Sequence, residues 1–214
     1  MALSRRQLIA AGLLDVERAE RLLGSREFEG ADPERLVKGL ALAADPDQAL
    51  MGLLRIAERE PRVVELADDV MAHHPLFRLL GASEALGDFL ARHPEHLGLL
   101  ALTRELEFIA AEAEHVRSEL LVAVGADPDA ETPVAGLVGT EGAAALRVAY
   151  RAALVDLATR DVCAADPTAA VGWVAVELAD LAAAAVEGAL AIARAAVAAA
   201  TPGLALDAGR LAVI

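Results

Sequence analysis

The stretch TAAVGWVAVELADLAAAAVEGALAIARAAVAAA, residues 168–200, decides the fold class. It contains no proline and is dominated by alanine, the best helix former. Asp166-Pro167 precedes it, a good N-cap followed by a proline suited to the first helical position. Thr201-Pro202-Gly203 closes it. Inside, Val171, Val174, Leu178 and Leu181 recur at spacings of three and four, and the stripe then shifts to Val186 and Leu190. The expectation is one long amphipathic helix that buries those large apolar residues against partners.

Working outward, the same signals recur along all 214 residues. Asp32-Pro33 and Asp45-Pro46 repeat the cap, Ser83 and Thr140 are further N-caps, and Gly12, Gly24, Gly81 and Gly125 suit helix ends. Helices are expected at about 5–11, 16–23, 33–43, 46–60, 62–72, 76–80, 84–92, 95–101, 104–124, 141–164 and 168–200. In 46–60, Leu50, Leu53, Leu54 and Ala57 share a face. In 104–124, Leu106, Ile109, Ala113, Val116, Leu120 and Val124 do so, and in 141–164 Leu146, Tyr150, Leu154 and Leu157. Composition agrees, being 56% hydrophobic with only 3% aromatic residues and few β-branched ones.

The fold class expected is therefore all-α. Three long helices in the C-terminal half form a bundle, and several short N-terminal helices pack over it. The division expected is an N-terminal helical cluster at 1–125, a loop at 126–139 marked by Asp127-Pro128-Asp129, Pro133 and Gly136, and a long helix pair at 140–202. Residues 203–214 form a tail in which Leu211, Ala212, Val213 and Ile214 read as one orphan strand.

Charge narrows the partners. Thirty-three acids against 19 bases leave a net charge of −14. That field repels a phosphate backbone and disfavours anionic membrane surfaces, so neither nucleic acid nor membrane is expected as a partner. The apolar run Leu8–Leu14 stops at Asp15 without a cleavage site, and the uncharged stretch Ala195–Leu206 is too short to span a bilayer. A cytoplasmic location is expected. The single cysteine, Cys163, excludes an internal disulfide and any Cys-based zinc site.

Candidate chemistry is sparse. Glu112 and His115 form one Glu-x-x-His pair, where a carboxylate di-metal site needs two pairs and two further glutamates. His93 and His96 flank Pro94 and Glu95, and His73-His74 are adjacent; loop and cap histidines explain both as simply. Gly136, Gly139 and Gly142 lead into a helix, yet no Lys-Ser/Thr follows, and Glu141 would occupy the positive helix end. Cys163 lies near a helix C-terminus, which raises a thiol pKa. Trp173 and Tyr150 read as packing anchors. No catalytic, cofactor-binding or metal residue emerges, and the residues alone describe an acidic helical module.

Three ordered stretches add a resemblance. GASEALGDFLARHPE at Gly81–Glu95, LRVAYRAALVDLATRD at Leu146–Asp161 and VAVELADLAAAAVEGALAIARA at Val174–Ala195 resemble the N-terminal helical region of the bifunctional glutamine synthetase adenylyltransferase/adenylyl-removing enzymes. RLAVI at Arg210–Ile214 is similar to the family's next strand. The resemblance implies a nucleotidyltransferase that moves AMP on and off glutamine synthetase in nitrogen regulation, using ATP and magnesium, under a nitrogen-signalling regulatory protein. It also implies that the family's Ser-Asp-x-Asp motif follows the strand, so this chain would be a lead-in without catalytic residues. Arg147, Arg151, Arg160 and Asp161 would then brace the catalytic domain, or else make ordinary surface ion pairs worth under about 1 kcal/mol each. The alternative is an independent helical interaction module without catalysis.

Overall fold

A computed structural model describes residues 3–100, 113–201 and 203. Among them every regular element is helical, with short helices in the N-terminal half and long ones after it. The strand expected at Leu211–Ile214, and the helical start at Leu106 and Ile109, lie outside the described residues. The chain divides into two compact units, residues 1–107 with 155–168, and residues 108–154 with 169–214.

The first unit holds seven helices among its described residues: α1 (Arg5–Ala10), α2 (Val16–Leu23), α3 (Pro33–Leu40), α4 (Pro46–Ala57), α5 (Arg62–Asp68), α6 (Val70–Ala82) and α7 (Glu84–Arg92). Their starts follow the cap chemistry. The Asp32 carboxylate accepts from Glu34 and Arg35 N–H, Asp45 from Gln48 N–H, and Ser83 from Leu86 N–H. Each such cap is worth about 1 kcal/mol. Ser4 and Gln7 add a reciprocal capping box on α1.

Helix α4 is the hub, packed by α2, α3, α5, α6 and α7. Leu50, Leu53 and Ala57 of its expected face are all buried, and Leu54 with them. Phe77 of α6 and Phe89 of α7 are fully enclosed, each contributing about 1.5–3 kcal/mol of burial.

Three local expectations are corrected here. Two helices were expected, at 62–72 and 76–80. Instead α5 ends at Asp69, whose backbone leaves the helical region (φ −91°, ψ 75°), and α6 runs through Pro75. Proline forfeits one intrahelical bond, and burial of Leu76, Phe77, Leu79 and Leu80 just after it holds the helix. Gly81 is not a helix end but lies within α6. A Cβ there would stand 2.6 Å from Ala43 Cβ and 3.0 Å from the Asp45 carbonyl oxygen. Residues 94–100 form a 3-10 segment, and another at Arg26–Phe28 carried no sequence signal. Gly12 does end α1 as expected, at φ +89°.

The second unit is built on α8 (Ala113–Ala123), α9 (Gly139–Val162) and α10 (Pro167–Ala200), the last turns of α9 and the start of α10 counting with the first unit. Thr140 lies inside α9 rather than capping it; Gly139, at φ +56°, opens the helix. Leu120, Leu181 and Ala184 form one buried cluster, with Leu146, Tyr150 and Leu154 against it. Leu121, Val124, Ala126, Ala135, Ala191 and Ala195 form another.

The buried side of α10 differs from the expected stripe. Val171, Leu178 and Val186 are exposed. The inward positions are Ala170, Glu177, Leu181, Ala184, Gly188, Ala191 and Ala195. They are separated by seven residues and then by alternating fours and threes, the heptad spacing of a coiled-coil seam. Small residues let a neighbouring helix approach closely. A Cβ on Gly188 would lie 2.7 Å from Leu146 Cδ1.

Candidate functional site

The stretch Gly81–Glu95 is a clamp. Arg55 of α4 donates from Nη1 to Asp88 Oδ1 at 2.5 Å and from Nη2 to Glu84 Oε1 at 3.4 Å. The hydrogen bond to Asp88 raises the Arg55 pKa above its ordinary value, keeping its charge fixed. Arg59 Nη1 donates to the Ala91 carbonyl at 3.1 Å. Gly87 leaves room for Leu80, whose Cδ2 would stand 3.1 Å from an added Cβ. Ser83 caps α7, Leu86, Phe89 and Leu90 are buried, and the His93 N–H closes the helix on the Phe89 carbonyl. The residues of this stretch are thus occupied in fastening α7 to α4 and α6.

Two histidines at the end of this clamp lie against an aromatic ring, His93 tilted and His96 stacked. The Phe89 ring lies 5.0 Å from that of His93 and 5.4 Å from that of His96, and His93 Nδ1 meets Glu95 Oε1 at 3.1 Å. Backbone hydrogen bonding, with a smaller contribution from His93, holds the Glu95 carboxyl below its ordinary pKa. Among the described residues no three His, Cys, Asp or Glu side chains are grouped to hold a metal ion. Glu112 lies outside the described residues; its candidate partner His115 instead meets Glu119 at 3.2 Å.

Of the basic residues on α9, Arg147 and Arg151 are exposed in the second unit. Arg160 lies in the first unit, donating from Nε to Asp156 Oδ2 at 3.0 Å, and Asp161 is exposed. Also in the first unit, Arg78 Nη1 donates to the Val162 carbonyl at 3.0 Å, and Cys163 is buried. Burial pushes the Cys163 thiol pKa up, with Arg78 pulling more weakly the other way.

The glycine-rich loop before α9 is pinned by its backbone. Gly136 N–H donates to the Gly125 carbonyl, Leu137 to Val124 and Ala135 to Ala191. A Cβ at Gly142 would stand 2.7 Å from the Leu137 carbonyl oxygen, so this glycine serves close packing. Sequence reading missed the strongest polar feature here. Arg117 of α8 donates from Nε to Glu187 Oε2 at 2.7 Å, from Nη2 to Glu187 Oε1 at 2.8 Å, and from Nη1 to the Pro128 carbonyl at 2.8 Å. Arg194 Nη1 donates to the Pro133 carbonyl at 3.2 Å. The partners are far apart in sequence, and no local pattern announces them.

The described residues of the first unit line clefts, among them the following. One of about 740 Å³ is lined by Arg26, Glu27, Glu58, Glu65 and Asp68 above Ala57 and Val64. A smaller one of about 210 Å³ lies among Arg18, Asp47, Met51, Arg55 and Glu84. Glu27 is held by Arg26 at 2.8 Å and Asp68 by Arg35 at 2.9 Å. Helix α10 is long and apolar enough to cross a membrane, which the stretch Ala195–Leu206 considered alone did not suggest. Here, however, its Glu187 is fastened to Arg117 and its Glu177 is buried.

Fold and site thus define an all-helical protein region whose stretch Gly81–Glu95 fastens α7 to its neighbours. Its sequence is similar to part of several curated enzymes. The chain is 38% identical over 199 residues to the bifunctional glutamine synthetase adenylyltransferase/adenylyl-removing enzyme of Bifidobacterium longum subsp. infantis, a match covering 89% of this chain and 18% of that protein. It is 39% identical over 197 residues to the enzyme of the same description from Streptomyces avermitilis, covering 88% of this chain and 18% of the relative. For the Streptomyces coelicolor enzyme the identity is 39% over 200 residues, covering 89% and 18%. The chain thus spans less than a fifth of the length of these relatives. No protein-family model matches it, and no solved structure does.

Proposed function

We propose that this chain is the helical lead-in of a bifunctional glutamine synthetase adenylyltransferase/adenylyl-removing enzyme, cytoplasmic, and serving AMP transfer to and from glutamine synthetase in nitrogen regulation. The observation that carries the reading is the extent of the match, nearly nine-tenths of the chain at 38% identity within 18% of the relative. In this reading the lead-in supplies architecture. The clamp at Arg55, Glu84 and Asp88 fixes α7, and Arg147, Arg151, Arg160 and Asp161 brace the nucleotidyltransferase domain. Glutamine synthetase and a nitrogen-signalling regulatory protein are partners of the complete enzyme.

The described residues do not fit an ATP–magnesium site. Phosphoryl-type chemistry needs carboxylates converging on metal, whereas Glu84 and Asp88 converge on Arg55 and Glu187 on Arg117. No Ser-Asp pair occurs anywhere in the sequence, so the family's Ser-Asp-x-Asp motif is not in this chain. Catalysis is accordingly assigned to other parts of the enzyme. Sequencing the gene past the Ile214 codon tests the reading. An in-frame glycine-rich turn followed by Ser-Asp-x-Asp supports it, and an immediate stop codon overturns it.

The second reading, an independent interaction module, draws support from the apolar outer face of α10, where Val171 and Val176 are 65% and 60% exposed.

A further inference from the structure

Helix α2 is fastened to α4 along one row of α4 side chains. Asp47, Met51 and Arg55 follow one another at intervals of four residues, and all three line the smaller cleft of about 210 Å³. Asp47 accepts the Leu14 and Asp15 N–H groups at 2.7 and 3.4 Å, which sets the start of α2. Arg55 is taken by Glu84 and Asp88. In the first turn of α2 stands Arg18, and among the described residues no carboxylate pairs with it. Its Nη2 donates instead to Met51 Sδ, at 3.0 Å. A guanidinium carries five donors and a permanent charge, whereas a thioether sulfur is a weak acceptor. The charge of Arg18 thus rests on an acceptor that scarcely uses it.

We propose that Met51 is a site of oxidation by peroxides, and that Arg18 receives the oxygen of the resulting sulfoxide. Met51 is half-buried and lines the cleft, so its sulfur is open to an oxidant little larger than water. In the step a sulfur lone pair attacks one oxygen of hydrogen peroxide. The S–O bond forms as the O–O bond breaks. The proton of the attacked oxygen passes to the leaving oxygen, which departs as water. Sulfur is oxidised by the two electrons that reduce the peroxide. Methionine sulfoxide is polar and ordinarily disrupts apolar packing. At this position the new oxygen meets a donor already in place, and a weak N–H···S contact becomes a charge-assisted N–H···O bond. Oxidation here keeps α2 fastened to α4 rather than freeing it. The proposal concerns this chain as it stands and does not depend on its assignment to the adenylyltransferase family.

The test treats the full native chain with dilute hydrogen peroxide. Peptide mass mapping should find one added oxygen on Met51. Thermal unfolding is then recorded before and after treatment for the parent, for Arg18→Ala and for Met51→Leu. The leucine variant supplies the baseline for oxidation at Met1 and Met71. Arg18 is exposed, so its alanine variant should fold. Relative to the baseline, oxidation should lower the melting temperature of Arg18→Ala by about 2–4 °C more than that of the parent. That is the shift one hydrogen bond gives a chain of this size. Two results would overturn the proposal: a Met51 that stays unmodified until the chain is denatured, or an oxidation shift in the parent as unfavourable as that in Arg18→Ala.

Discussion

Arg117 and Glu187 meet as a fork. Two nearly equal hydrogen bonds of 2.7 and 2.8 Å tie α8 to α10, while the third guanidinium nitrogen holds the Pro128 carbonyl. Both side chains are about three-quarters buried. Such planar pairing is specific to arginine. Arg117→Lys should therefore fail to substitute, and Arg117→Ala should cost about 1–3 kcal/mol by leaving a shielded carboxylate unpaired. Urea unfolding of both variants, with the double variant that also carries Glu187→Ala, measures the coupling. A lysine variant as stable as the parent would refute it.

Two glycines should respond to alanine with opposite signs. At Gly81 the new methyl meets Ala43 and the Asp45 carbonyl, neither able to swing away. The overpacking cost of about 1–3 kcal/mol should exceed the helical gain of about 1 kcal/mol. At exposed Gly172 of α10 nothing lies within 4 Å of an added Cβ. Gly172→Ala should stabilise by about 0.5–1 kcal/mol. Thermal denaturation of the two variants side by side is the check, and equal shifts would contradict the packing described.

Removing the Ser83 hydroxyl should loosen the clamp from its start. Its oxygen accepts the Leu86 N–H at 3.3 Å, so Ser83→Ala should cost about 1 kcal/mol. Ser83→Asp should retain most of the stability. Amide exchange at Leu86 reads the effect locally, and unchanged protection in the alanine variant would count against the cap.

Cys163 should be a slow thiol. Burial raises its pKa above the ordinary thiol value of about 8.5. A raised pKa means that the folded state holds the proton more firmly than the unfolded chain. The contribution to stability is full below the unfolded pKa and is lost as pH rises through the folded one, so stability should begin to fall above about pH 8.5. Reaction with a thiol reagent near about pH 8 should be slow in the native chain and prompt in denaturant. Rapid native labelling would rule this out.

The purified chain alone should neither adenylylate nor deadenylylate glutamine synthetase, since it contains no Ser-Asp-x-Asp. Labelled ATP and pre-adenylylated glutamine synthetase test the two directions. AMP release above background would require a catalytic carboxylate set within these residues.

Much of the fold was legible because polar caps and large residues speak locally. Asp32-Pro33, Asp45-Pro46 and Asp166-Pro167 each mark a helix start, and Leu50, Leu53 and Leu54 mark the buried side of α4. The sequence misled where alanine fills both sides of a helix. On α10 the valines and leucines stood out as a stripe, yet of these Leu181 alone is fully buried, and the close approach of α9 selects Ala184, Gly188 and Ala191 beside it. The segment of α6 was split between 62–72 and 76–80 because the burial that holds it through Pro75 comes from tertiary contacts that a local window does not weigh. Of the candidate site, Arg147, Arg151 and Arg160 were visible as basic residues. The Arg117–Glu187 fork was not, because its partners are 70 positions apart.

The first unit is not contiguous along the chain, and this governs the order in which it can be completed during synthesis. Val155 and Leu157 belong to it and are buried, and Arg78 waits for the carbonyl of Val162. A ribosome that has delivered residues 1–107 has therefore delivered an unfinished core. It must add the whole of 108–154 before the missing pieces emerge. The early helices accordingly spend that interval with apolar surface open to chaperones. A gene truncated between the two segments would encode a first unit that never closes, however intact its own helices.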